Sequence, residues 1–399
     1  MQIQLADFIK HTPQGREAAT LLRSCVHCGF CNASCPTYQL LGDELDGPRG
    51  RIYLIKQLLE GETGTADSQS HLDRCLSCRA CETACPSGVN YHRLLDIGRG
   101  IAEQQVARPW RQRWLRRLLL LTLPYPGRFR PIVAFGRRLR PLLPKALQAK
   151  LPAWQAPGNW PAARHARRML ILEGCVQPAL APRINAATAR VLDKLGISLI
   201  AANAGCCGAL PYHLNDQPTG LEMMRRVIDA CWPQMENGIE AIISTASGCG
   251  VSVKDYATLL RNDPLYAEKA VRIAALTKDI AEILQAENLS ALQPPPRTLA
   301  FHSPCTLQHG QQLNGVVENL LSRLGFSLTM VAEPHLCCGS AGTYSILQPE
   351  LAGRLRTAKI QALLAGQPEL IATANIGCRQ YLQEKARLPV VHWIELLDY

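Results

Sequence analysis

The chain has 399 residues, enough for two or three domains with separate cores, and 47% of it is apolar. Its seventeen cysteines are odd in number and far more than packing needs, which excludes a fully paired disulfide framework. The formal charge of +11 is concentrated in residues 104–172, which carry fifteen Lys or Arg and no acid, leaving 28 basic against 32 acidic residues elsewhere.

The first stretch, MQIQLADFIKHTPQGREAAT, lacks the basic start and continuous apolar core of a secretory signal, so the thiols are expected to be reduced. No run approaches the roughly 18 apolar residues of a membrane span. The longest candidate, WLRRLLLLTLPYPG, is stopped by Pro124 and Pro126.

Residues 1–105 repeat one spacing. CVHCGFCNASCP places Cys25, Cys28, Cys31, Cys35 and Pro36, and CLSCRACETACP places Cys75, Cys78, Cys81, Cys85 and Pro86. This is the C-x2-C-x2-C-x3-C-P run of two-cluster ferredoxins, in which the fourth cysteine reaches the other cluster. Cys25, Cys28, Cys31 and Cys85 are therefore expected to hold one [4Fe-4S] cluster, and Cys75, Cys78, Cys81 and Cys35 a second. Each trailing proline suits the first turn of a helix. Zinc is the plainer alternative for paired CxxC spacings, although two complete runs with prolines favour iron. Between the runs, PRGRIYLIKQLLEG has helical patterning, and Gly47 and Pro48 mark a turn before it. Arg49 and Arg51 read as a solvated or cluster-facing basic patch rather than a substrate site. A mostly α-helical, two-cluster ferredoxin domain is expected over 1–105.

A basic, Pro-rich segment follows over 106–168, mixing Arg with Trp110, Trp114 and a leucine run. A membrane surface or a protein partner suits it better than nucleic acid.

Beyond it, Cys175, Cys206, Cys207 and Cys249 recur as Cys305, Cys337, Cys338 and Cys378 at offsets of 130, 131, 131 and 129 residues. This marks a duplicated domain, 169–295 and 296–399. RMLILEGC, ISLIAANAGCC and AIISTASGC in the first copy, and TLAFHSPC, FSLTMVAEPHLCC and LIATANIGC in the second, read as strands separated by helices. Two α/β domains with parallel sheets follow, their cysteines gathered at the carboxyl ends of strands, where ligands bind in such sheets. Each group of four thiols suits a further iron-sulfur cluster or a zinc ion. Reduced remnants of an older site are the alternative. His213, His302, His309 and His335 lie near these cysteines, and each alone is more often structural than a ligand. No phosphate loop, catalytic triad or paired-carboxylate site stands out, so no catalytic residue is assigned.

Together these motifs resemble the iron-sulfur subunits of flavin-linked dehydrogenases, relatives of heterodisulfide reductase and anaerobic glycerol-3-phosphate dehydrogenase subunits. Within that group CVHCGFCNASCPTYQLLGDELDGPRGRIYLIKQLLEG, HLDRCLSCRACETACPSGVNYHRLLDIGR, NAATARVLDKLGIS and HLCCGSAGTY look like the iron-sulfur subunits of bacterial glycolate oxidases. The resemblance implies an electron-transfer subunit without catalytic residues of its own. An FAD-binding catalytic subunit would oxidise glycolate, and in some cases D-lactate, beside a second flavin-type subunit. Electrons would pass towards membrane quinone, with the chain cytoplasmic and peripheral on the inner face of the cell membrane. The nearer rival is a subunit of another quinone-linked dehydrogenase, for D-lactate or glycerol 3-phosphate. The remote one is a zinc- or nucleic-acid-binding module. In the heterodisulfide reductase relatives each CCG domain supplies five cysteines, the last pair spaced C-x2-C. Here Ala246 and Asn375 stand where the first of that pair belongs.

Overall fold

A computed structural model describes residues 1–142, 144, 148 and 151–399. The other residues of the basic 106–168 segment lie outside the described ones. The chain forms two compact units, one of 1–117 with 335–359 and the other of 118–334 with 360–399. The doubled cysteines of the second repeat, Cys337 and Cys338, thus belong to the N-terminal unit.

The first unit is helical. Helix Pro13–Ser24 begins at Thr12, whose side chain accepts from the Gly15 N–H at 3.0 Å, and Pro13 takes the first helical position, where no amide donor is needed. Pro48 opens Pro48–Leu59 in the same way. Ala66–Asp73 starts from a Thr65/Ser68 capping box, and Tyr91–Gln105 from Asn90. Leu22, Ile55, Leu59, Leu72, Leu94 and Leu95 have no exposed surface and form the core between these helices. A Cβ at Gly98 would lie 2.5 Å from Ile55 Cγ1, so the missing side chain is what lets Pro48–Leu59 and Tyr91–Gln105 approach. Those two helices carry Arg51, Tyr91 and Arg99 to the cysteine loops. One local expectation changes. Pro36 does open a helix, Pro36–Leu41, but Pro86 does not. Gly88 there adopts φ +60°, its N–H closes a turn onto the Cys85 carbonyl, and the next helix waits for Tyr91.

The second unit contains two four-stranded sheets. β1 (Arg167–Leu172), β2 (Ile197–Ala201), β3 (Ile242–Ser244) and β4 (Thr277–Asp279) form one, in the order β2-β1-β3-β4. β5 (Thr298–His302), β6 (Ser327–Leu328), β7 (Leu370–Thr373) and β8 (Val390–His392) form the other, in the order β6-β5-β7-β8. All pairings are parallel, with Leu170 opposite Ile242 and Ala300 opposite Ile371. The fourth strand of each sheet has no counterpart in the expected set. One apolar core runs through both repeats, from Met169 and Ile171 to Phe301, Trp393 and Leu397. The last turn, Trp393–Leu397, packs on helix Arg183–Lys194, and Arg190 pairs with Asp398 at 2.6 Å. The loops after β3 and β7 are tied together by Ser247 N–H to Ala374 O at 3.2 Å, and the end of β8 reaches the loop after β3 through His392 Nε2 to Thr245 O at 2.8 Å. Burial pushes the His392 imidazole down to about 3, so it is neutral, with Nδ1 accepting from Ile394 N–H.

The basic segment is ordered into Trp110–Thr122 and Pro126–Leu139. Arg108 and Arg116 turn inward onto Asp73, at 2.5 and 3.2 Å. Trp110 and Trp114 remain exposed beside Arg111, Arg113 and Arg117, and Ile132 and Phe135 beside Arg128 and Arg130. Among the described residues no helix is long and apolar enough to cross a membrane.

Candidate metal centres

The two ferredoxin-type runs share one backbone device. His27 and Gly29 in the first, and Ser77 and Arg79 in the second, occupy the left-handed region at φ 61°, 87°, 52° and 61°. One left-handed residue lies between the first and second cysteines and another between the second and third. The loop is thereby wound so that three thiols face a common space. Three of the four are not glycine, and each such residue costs of order 1 kcal/mol or more, a strain that marks functional loops.

The thiols line two adjoining cavities. One, of about 450 Å³, is lined by Cys25, Cys28, Cys31 and Cys85. The other, of about 360 Å³, is lined by Cys35, Cys75 and Cys78. Cys81 borders both, as do Pro48 and Tyr91. The electrostatic neighbours separate the sets. Burial first, then Cys25, Cys85 and Cys28, push the Cys31 thiol up to about 11. Burial, then Cys78, Cys75, Glu82 and more weakly Cys35, push Cys81 well above its ordinary range. Cys85 thus lines the cavity of Cys25, Cys28 and Cys31, and Cys35 that of Cys75 and Cys78. Thiols that raise one another in this way do not ionise together unless a cation is supplied. The surroundings fit an iron-sulfur group. Ser77 N–H points at Cys75 Sγ (3.4 Å), Val89 N–H at Cys85 Sγ (3.5 Å), and Thr37 Oγ1 lies 3.3 Å from Cys35 Sγ. The buried Tyr91 hydroxyl, at the wall common to both cavities, has no hydrogen-bond partner among the described residues and is available to a sulfur.

Three side chains there carried no sequence assignment to this site. Tyr344, at the end of HLCCGSAGTY, is a buried phenol within electrostatic reach of Cys75 and Arg51. Arg99 donates to Leu72 O and, at 2.7 Å, to Cys75 O. Tyr91 is the third. Arg51, read as solvated or cluster-facing, is fully buried on the second cavity. Arg49 lines the first cavity and pairs with Glu44 at 2.6 Å.

In the second unit, the loops after β1 and β2 and the first turn of helix Ser247–Lys254 bring Cys175, Cys206, Cys207 and Cys249 together. Cys206 is within hydrogen-bonding reach of Cys175 and Cys207, and Cys207 of Cys206 and Cys249. The bond with Cys175 drives the Cys206 thiol up, while that from Cys206 drives Cys207 down. His213 lies close enough to Cys207 to favour its ionised form, and Tyr256 Oη donates to the Cys207 carbonyl at 2.6 Å. The glycine of each CCG triplet has a steric reason. Gly208 and Gly339 sit at φ +81° and +86°, and a Cβ would fall 2.5 Å from Gly220 O and 2.7 Å from Ala352 O.

In the second repeat Cys305 and Cys378 lie in the second unit, and Cys337 and Cys338 in the first; all four are buried. Asn375, three residues before Cys378, donates from Nδ2 to Cys378 Sγ at 3.8 Å. His302 ends β5, His309 lies in the turn Thr306–Gly310, and His335 opens the segment that belongs to the first unit.

Comparisons with known proteins follow the same division. Residues 21–89 match the family described as a 4Fe-4S dicluster domain, and residues 169–254 and 299–383 match the cysteine-rich domain family. The chain is 57% identical to the glycolate oxidase iron-sulfur subunit of Escherichia coli (strain K12), over 100% of this chain and 98% of that one. It is 30% identical to the probable glycolate oxidase iron-sulfur subunit of Bacillus subtilis (strain 168), over 94% and 93%. With one of the subunits of the dihydromethanophenazine:CoB–CoM heterodisulfide reductase of Methanosarcina barkeri (strain Fusaro / DSM 804) it shares 22% identity over 91% and 88%.

If the crossed sets act as ligand sets, Cys35→Ser removes about four iron atoms per chain and spares the centre bounded by its sequence neighbours Cys25, Cys28 and Cys31. Iron assay and EPR of the reduced variant check this; loss of the Cys25-side signal instead would refute the crossing.

Proposed function

The chain belongs to the family of glycolate oxidase iron-sulfur subunits, and on that premise we propose that it is the electron-carrying, non-catalytic subunit of a glycolate-oxidising complex. An FAD-binding catalytic subunit oxidises glycolate to glyoxylate, and D-lactate where its site admits it. A second flavin-type subunit completes the complex. Electrons leave the flavin one at a time through this chain towards membrane quinone. The observation that carries the reading is the pair of thiol-lined cavities sharing the wall at Cys81, Pro48 and Tyr91. Two bound [4Fe-4S] groups, with Cys25, Cys28, Cys31 and Cys85 on one and Cys35, Cys75, Cys78 and Cys81 on the other, supply one-electron storage. The chain's own part is to hold seven of these eight thiols buried or half-buried and to offer amide N–H groups and the Tyr91 hydroxyl to the sulfurs.

Cys175, Cys206, Cys207 and Cys249 are proposed to hold a further iron-sulfur cluster or a zinc ion, and the duplicated Cys305, Cys337, Cys338 and Cys378 its equivalent. Four thiols linked in the order Cys175–Cys206–Cys207–Cys249 support this for the first set. The exposed Trp110 and Trp114 with their neighbouring arginines, and Ile132 and Phe135 with theirs, support peripheral attachment to an anionic membrane surface, on the cytoplasmic face.

Three measurements test these statements. The purified chain reduces a dye acceptor with glycolate only when the flavoprotein subunits are added; turnover by the flavin-free chain alone would overturn its non-catalytic role. Cys207→Ser lowers total iron plus zinc below wild type, whereas metal equal to two cubanes in both proteins would leave the first cysteine-rich domain empty. Vesicles containing anionic lipid retain the complex at about 0.1 M salt and release most of it at about 1 M, where the screening length falls from about 10 to about 3 Å. Trp110→Ala with Trp114→Ala weakens retention at the lower salt, and retention indifferent to both changes would remove the membrane assignment.

A further inference from the structure

We propose that Arg51 makes the centre bounded by Cys35, Cys75, Cys78 and Cys81 the more easily reduced of the two N-terminal centres; this rests on reading those cysteines as [4Fe-4S] ligands.

The two cavities carry similar numbers of thiols and differ in the charges beside them. Arg51 lines only the second, and its side chain has no exposed surface. Its donors are fixed: Nε to His71 O at 2.7 Å, and both terminal nitrogens to Thr37 Oγ1 at 3.1 Å. Thr37 in turn donates to Asp46 O at 2.7 Å and stands beside Cys35 Sγ. The carboxylate nearest to Arg51 is Asp46, and the contact is long, 3.5 Å. Asp46 is also shared, with Arg74 at 2.8 Å and His71 Nδ1 at 3.0 Å, so one negative charge faces two guanidinium groups. Arg79 lines the same cavity and Arg99 holds the Cys75 carbonyl; the Glu82 carboxylate, which pushes the Cys81 thiol up, is held by His92 Nδ1 at 2.8 Å and faces the charge of Arg79. The Tyr344 hydroxyl, buried without a hydrogen-bond partner among the described residues, lies on this side as well.

The first cavity differs in screening. Its arginine, Arg49, is paired to Glu44, and their side chains are 36% and 40% exposed. Water and the partner cancel most of its field.

Reduction adds one electron to a cubane and breaks no bond. With four thiolates the site goes from a net charge of −2 to −3, the electron coming from the reductant. A fixed, buried cation stabilises the −3 state more than the −2 state, and low local dielectric enlarges the difference. The centre beside Arg51 therefore fills first, and an electron that enters the pair rests there.

The test is an EPR-monitored redox titration of the anaerobically purified full chain. The N-terminal centres of the wild type give two one-electron steps, and Cys35→Ser abolishes the one at higher potential of these two. Arg51→Met reduces the ratio of reduced to oxidised centre, at fixed potential, about tenfold for that step alone, equivalent to about 59 mV for one electron. Arg51→Lys retains most of the wild-type value, and Arg49→Met leaves the higher step in place. If Arg51→Met fails to load iron, Asp46→Asn decides: removing the opposing carboxylate raises the same step. The inference is overturned if, with iron at the wild-type level, Arg51→Met moves the lower step, both steps equally, or neither, or if Asp46→Asn moves nothing. Wild-type protein without cubane signals instead defeats the ligand reading, and this inference with it.

Discussion

Crowded thiols in a water-poor space are the constraint around which both kinds of module are built. Burial alone disfavours the thiolate, and each neighbouring sulfur disfavours it further, as at Cys31, Cys81 and Cys206. Four such groups become a stable ligand set only when a metal or cluster supplies the positive charge. The helices of the first unit and the sheets of the second bring these sulfurs together.

Backbone conformation meets this constraint in the same way at each site. In the ferredoxin-type loops, left-handed residues at His27, Gly29, Ser77 and Arg79 turn three thiols inward. In the CCG loops, Gly208 and Gly339 let the chain pass within Cβ contact of a helix carbonyl. The CCG triplet is thus two thiols followed by a steric requirement, since any side chain at the third position meets backbone oxygen.

The basic segment divides by packing rather than by composition. Arg108 and Arg116 neutralise Asp73 in the first unit, and Arg137 donates to the Pro152 and Leu180 carbonyls in the second. The surface charge is therefore smaller than the count of fifteen implies, and part of what remains lies beside exposed Trp110 and Trp114. That combination gives an amphipathic face that salt weakens without abolishing its apolar contribution.

Spacing and periodicity are local quantities, and what depends on them was legible in the chain itself. The two ferredoxin-type runs, the duplication at offsets near 130, the six strands that lead towards cysteines and the helix after Pro48 could all be read from residue order. Other features required the tertiary structure. β4 and β8 are three residues long, lead to no cysteine, and exist because the edges of β3 and β7 offer them partners. Pro86 carries the same local signal as Pro36, yet Gly88 turns the chain before a helix forms. Arg49 and Arg51 stand two residues apart on one helix. Which of them is buried depends on Thr37, Asp46 and His71 closing over Arg51, contacts made from sequence separations of 5 to 20 residues. Tyr344 comes within reach of Cys75 from more than 200 residues away. Residue types and their intervals determined which atoms can bind metal; burial, which is set by distant parts of the chain, decided which charges and hydroxyls stand beside them.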